Sequence, residues 1–180
     1  DSGAAGLIGL DLDQTGKLIG KPLPEGELIN AASLLCIPGM GDKKYVVRND
    51  LLRTVAPMPV FEGEKNFNPH YLIIKLSKEH CFHPVNQCFC LVEYQPDGMT
   101  ANIWKQYINS PRSFAELRRA IMEVPGLTWE YRLKTIIHYC SSSQIAGNRH
   151  YIKESPRKLL TVLCTPAGWA LTGYIRRKAR

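Results

Sequence analysis

RHYIKESPRKLLTVLC, residues 149–164, reads as two short strands, RHYIKE and LLTVLC, joined by the polar turn SPRK with Arg157 and Lys158 at its tip. The residues around it have helical period. Ser113-Phe-Ala-Glu116 places Ser at the N-cap and Glu at N3, an arrangement that satisfies two free N–H groups reciprocally, and opens FAELRRAIMEV. Pro125, Gly126 and Leu127 end that helix, and Thr128 caps the next, WEYRLKTIIHYC, in which Tyr131, Leu133, Ile136, Ile137 and Cys140 share one face. A shorter helix fits NIWKQYI. A last one starts at Thr165-Pro166, with proline at the first helical position, and runs through GWALTGYIRRKAR.

Residues 1–101 read differently. LIGLDL, the polar DQTGK and then LIG form a hairpin, and ELINAASLL has helical composition before the turn CIPGMGDKK. KYVVRNDLL fits strand or helix. TVAPMPVFEGEKNFNP is rich in proline and reads as a surface connection, with a boundary near residues 56–69. HYLIIKLS (70–77) and QCFCLVEYQ (87–95) have strand composition and, with a turn at Pro96-Asp97-Gly98, predict an antiparallel meander. The expected fold class is α+β: a β-rich N-terminal domain over residues 1–101 and a basic helical domain with a hairpin over residues 102–180.

At 180 residues and 44% hydrophobic content the chain can bury a core. No apolar run approaches the ~18–20 residues that span a bilayer. The chain is therefore expected to be soluble and intracellular, nuclear in a eukaryote, with no membrane partner. Its six cysteines are expected to be reduced thiols packed as small hydrophobes. The net charge of +7 is segregated: residues 1–111 carry ten Lys/Arg and twelve Asp/Glu, and residues 112–180 carry thirteen and four. A net +9 in the last part points to a polyanionic partner.

Two clusters raise the question of catalysis or metal binding. LIGLDLDQT resembles the first motif of haloacid-dehalogenase-like phosphatases, and DLDQTG is similar to the acidic strand of proofreading-type exonucleases. Those resemblances imply a nucleophile or metal-ligand role for Asp11, an acid/base or ligand role for Asp13, and Mg²⁺. Both chemistries need further acids downstream, yet no Asp follows residue 97, and Glu116, Glu123, Glu130 and Glu154 show no paired spacing. The alternative is a turn, DQTGK, whose carboxylates face water. His80, Cys81, His83, Cys88 and Cys90 place five metal-binding side chains in eleven residues, against a plainer reading of packed thiols and loop histidines. No metal and no cofactor is expected.

Two resemblances point to nucleic acid. Cys36-Ile-Pro-Gly-Met-Gly-Asp-Lys-Lys44 resembles the hairpin of helix-hairpin-helix modules, whose backbone amides reach a DNA phosphate. Residues 102–180, with LCTPAGWAL at 163–171, look like a winged helix-turn-helix. That likeness implies that 128–140 is a recognition helix presenting Thr128, Arg132, Lys134 and Thr135 to a groove, and that Arg149, Arg157 and Lys158 on the wing meet phosphates. Arg176 and Arg177 complete the candidate set. The expected function is non-catalytic nucleic-acid binding, with duplex DNA as partner. Two alternatives remain: a protein-interaction or scaffold domain of a larger complex, docking through the meander edge or the aromatic C-terminal helix, and a metal-dependent phosphatase or nuclease using Asp11 and Asp13.

Overall fold

In the computed structural model, which describes residues 3–95 and 102–180, the alternating LIGLDL forms β1 (Gly6–Asp13). It is the middle strand of a three-stranded sheet, between β2 (Lys43–Val47) and β3 (His83–Val92). β2 runs antiparallel to β1, from Gly6 opposite Val47 to Leu10 opposite Lys43. β3 runs parallel to β1, from Leu7 opposite His83 to Asp13 opposite Val92. The sheet is thus mixed, and the architecture is α+β.

Two features of the expected meander differ. QCFCLV is strand, but it pairs parallel with β1, so a long connection separates the two strands. HYLIIKL is helix α2 (His70–Leu76) and not a strand. Asn68 starts it by accepting the His70 N–H on Oδ1 at 2.9 Å, and Pro69 fits a helix start. Burial of Ile73, Ile74 and Leu76 then outweighs the β-propensity of the pair of isoleucines. The expected turn at Pro96-Asp97-Gly98 lies outside the described residues.

The chain divides into two units. The first holds residues up to 57 and 72–95, and the second holds 58–71 with the described chain from 102 onward. In the first, Ala5, Ile8, Leu10, Leu34, Met40, Ile73, Leu76 and Phe82 form the core. KYVVRNDLL there supplies both structures, β2 and then α1 (Asn49–Val55). ELINAASLL gives a short 3-10 helix, Ala31–Cys36.

The second unit is helical: α3 (Ile103–Asn109), α4 (Pro111–Met122), α5 (Trp129–Ile145), α6 (Tyr151–Glu154) and α7 (Lys158–Lys178). Thr128 caps α5, accepting the Tyr131 N–H, as the sequence suggests. Ser113 is not an N-cap: α4 starts two residues earlier, at Pro111, and Ser113 is buried inside it. The hairpin expected at 149–164 is helical. Ser155 accepts the Arg157 N–H and shares a hydrogen bond with Thr161, which fixes the turn into α7. From there the apolar run LLTVLC continues into TPAGWALTGYI as one helix of 21 residues. Pro166 lies within that helix instead of opening it. Its missing N–H would have paired with the Val162 carbonyl, and Val162 faces solvent, where water can serve that oxygen. No described helix is long and apolar enough to cross a membrane.

Candidate functional site

The cations of the second unit fall into two groups. Arg112 and Arg119 of α4 are engaged internally. Arg119 binds Glu116 through two nitrogens at 2.8 Å and also approaches Glu123. Arg112 binds the Glu64 carboxylate at 3.1 Å, donates to the Glu62 carbonyl and lies over the Phe61 ring.

The second group is exposed. Arg149, Lys153, Arg157 and Lys158 surround the corner formed by the end of α5, α6 and the start of α7. The turn is shaped by Gly147, which adopts φ +71°, and by Asn148, whose Oδ1 accepts the His150 N–H at 2.8 Å. Glu154 is the one acid in residues 131–180, and Asn148 donates to it at 2.7 Å. The first turn of α7 holds no acid, and Arg157 at its N-cap makes no side-chain cap bond. Cations there oppose the helix dipole, which makes them unfavourable for the fold by itself and suited to an external anion. Arg176, Arg177 and Lys178 form the exposed far end of α7.

Eight of the nine candidate residues therefore reach the surface at least in part, but they do not form one groove-facing helix. Thr135 is the exception. It is buried, and its hydroxyl bonds back to the Tyr131 carbonyl at 2.8 Å. α5 packs against both α4 and α7; Arg132 is half-buried and Lys134 exposed, and two positions apart they point to different sides of the helix. Lys153 was missed because the hairpin reading hid its position. Lys153 lies in the four-residue helix α6, with Arg149 in the turn before it and Arg157 at the N-cap of α7, so no single-helix spacing marks the three in the sequence.

The first unit places its candidates apart. Asp13 forms the expected turn: its Oδ1 accepts the Thr15 N–H and hydroxyl and the Lys17 N–H. The Thr15 hydroxyl first, then the Lys17 amide, hold its carboxyl below the usual range. Asp11 does not face water. It is buried in the middle strand, with Oδ1 lacking a hydrogen bond and Lys44 at 3.8 Å from Oδ2. Among the described residues no three His, Cys, Asp or Glu side chains converge to hold a metal. His83 Nδ1 bonds to the Glu27 carbonyl, and Cys81, Cys88 and Cys90 are free thiols. The IPGMG turn is followed by strand β2, not by a second helix, and Lys43 Nζ is drawn inward to the Met40 carbonyl at 2.6 Å.

A further cavity of about 240 Å³ lies in the second unit, with Arg112, Glu116, Arg119, Tyr139 and Glu154 on its walls. Both arginines in it are already bound to carboxylates, so neither is a free cation for an anionic ligand. No family model, no curated protein and no solved structure matches the chain.

Proposed function

We propose that the chain is a non-catalytic nucleic-acid-binding module that grips a phosphate backbone at the α5–α7 corner. One observation carries the reading: Arg149, Lys153, Arg157 and Lys158 are all exposed within ten residues, beside a helix start that has no acid of its own. N–H groups at that start and the positive end of the α7 dipole add to the attraction for phosphate. Arg176 and Arg177 give a second cationic patch on the same helix.

The contacts are positional and not base-reading. Base readout needs a helix with a free face for the groove, and α5 is flanked by α4 and α7 with Thr135 buried. Duplex DNA, with its regular and dense phosphates, is the partner this reading favours.

Fluorescence anisotropy of labelled duplex across a salt series tests it. Affinity is expected to fall with a log–log slope of about −0.9 per phosphate contacted. Arg149→Glu with Arg157→Glu and Lys158→Glu should weaken binding to every sequence alike. No binding at low salt to duplex, single strands or RNA would overturn the reading.

A further inference from the structure

Helix α7 is built with its apolar side outward. The residues it turns toward the rest of the unit are Thr161, Cys164, Gly168, Thr172 and Ile175, all buried. The inward hydroxyls are satisfied locally: Thr161 donates to the Arg157 carbonyl at 3.0 Å and Thr172 to the Gly168 carbonyl at 2.9 Å. Facing out are Leu159 (74% exposed), Leu163 (67%), Trp169 (64%), Val162 (49%) and Tyr174 (48%). An ordinary surface helix has the reverse distribution.

Charge defines what this face suits. No charged residue lies between Lys158 and Arg176, and no acid follows Glu154. Arg157 and Lys158 stand at one end of the stripe, Arg176, Arg177, Lys178 and Arg180 at the other. A second copy of the chain is a poor occupant, because both ends are positive and either orientation of two such faces sets cations against cations. A surface that is apolar along its length and anionic at its margin matches. Trp169 and Tyr174 are amphipathic rings of the kind that settle at a lipid–water boundary.

We propose that this face of α7 docks on an anionic lipid bilayer, bedding Leu159, Val162, Leu163 and Trp169 among the upper acyl chains. The flanking arginines and lysines then meet lipid phosphates. α7 is held against α5, and Trp104 of α3 meets the Tyr174 ring edge-on at 5.4 Å, so the helix lies in the plane of the surface with the face of Leu159, Val162, Leu163 and Trp169 available. The proposal departs from the expectation of no membrane partner, which rests on the lack of a spanning apolar run; a helix lying on the surface needs none. The proposal uses the apolar residues that phosphate gripping at the corner leaves idle.

Co-sedimentation of the full chain with phosphatidylcholine vesicles, and with vesicles of equal parts phosphatidylcholine and phosphatidylserine, tests it. The chain is expected to bind the mixed vesicles and to bind the neutral ones far less. Leu159→Ser with Leu163→Ser and Trp169→Ser alters exposed side chains only, so the thermal transition should persist. That variant should lose vesicle binding on the order of ten-fold or more, while duplex binding is retained. Arg176→Glu with Arg177→Glu should erase the preference for anionic lipid. Vesicle binding unchanged in the triple variant would mean attraction by charge alone and overturn the proposal. No binding to either vesicle would overturn it in favour of a protein groove. A dimer that the triple variant abolishes would overturn it in favour of self-association.

Discussion

Glu64 caps helix α4 through Ser113, a residue far along the chain. Its Oε2 accepts the Ser113 N–H at 2.8 Å and the Ser113 hydroxyl at 2.7 Å, and its Oε1 accepts the Arg112 N–H at 2.9 Å. Pro111 opens the helix without an N–H, so these are donors that no intrahelical carbonyl can take. A carboxylate at this end also complements the dipole. Segment 58–71 is thereby tied to the helical unit.

Glu64→Ala should lower stability by about 1–3 kcal/mol, measured by urea unfolding, since it strips a nearly buried acceptor from four donors. Burial works to raise the Glu64 carboxyl, but the Ser113 and Arg112 hydrogen bonds prevail and hold it below 4.5. Its contribution is therefore complete above pH 4.5 and lost as pH falls through the lower folded value. Glu64→Gln should flatten that acid limb.

The same contact shows where sequence reasoning reached and stopped. Ser113 and Glu116 carry the right letters for a local capping box, but Glu116 turns to Arg119 and Ser113 is claimed by a residue from another segment. Local chemistry placed a helix there and a cap at Thr128, because both depend on near neighbours. It misplaced LIIKL and LLTVLC as strands, because short apolar runs take the structure their packing favours. The charge segregation was legible as a count. The cluster at Arg149, Lys153 and Arg157 needed the helical geometry of the corner. Burial of Asp11 and Thr135 followed from long-range packing that no local pattern encodes.

Gly168 and Gly173 lie in the same helix, and replacing each by alanine should have opposite effects. A Cβ on Gly168 would stand 2.5 Å from the Cys140 Cβ, where α7 meets α5. Gly168→Ala must therefore push the helices apart, at a cost of about 1–3 kcal/mol. A Cβ on Gly173 meets nothing within 4 Å, so Gly173→Ala should gain roughly 0.5–1 kcal/mol from helix propensity. Thermal unfolding of the two variants side by side measures the difference. A neutral Gly168→Ala would contradict the close approach.

His138 gives the fold a second pH dependence, separate from that of Glu64. Burial first, and the charges of Arg118 and Lys134 after it, push the imidazole down to about 4 from 6.5. Its Nδ1 lacks a hydrogen bond, and the ring lies 6.0 Å from that of Tyr107. Between those two values the unfolded chain binds a proton that the folded chain refuses. Stability is thus whole above pH 6.5 and declines as pH falls toward 4, by about 3 kcal/mol if the full shift is expressed. Urea midpoints of the wild type should drop between about pH 7 and about pH 5, and His138→Phe should remove most of that drop.

Asp11 and Asp13 separate a turn from an active site. Asp13 serves the turn by its Oδ1, an oxygen that Asn also has, so Asp13→Asn should leave the circular dichroism and melting temperature of the chain almost unchanged. Asp11 is 1% exposed, with Lys44 at 3.8 Å and one oxygen lacking a partner. An incompletely paired buried carboxylate contributes little, so Asp11→Asn should hold or raise the melting temperature. A hydrolase would behave otherwise, since both carboxylates would have to reach Mg²⁺ and a phosphate. Incubation with a phosphate ester and with a labelled oligonucleotide, with and without Mg²⁺, distinguishes the two. Metal-dependent turnover that disappears in both variants would displace the turn and the buried strand residue in favour of catalysis.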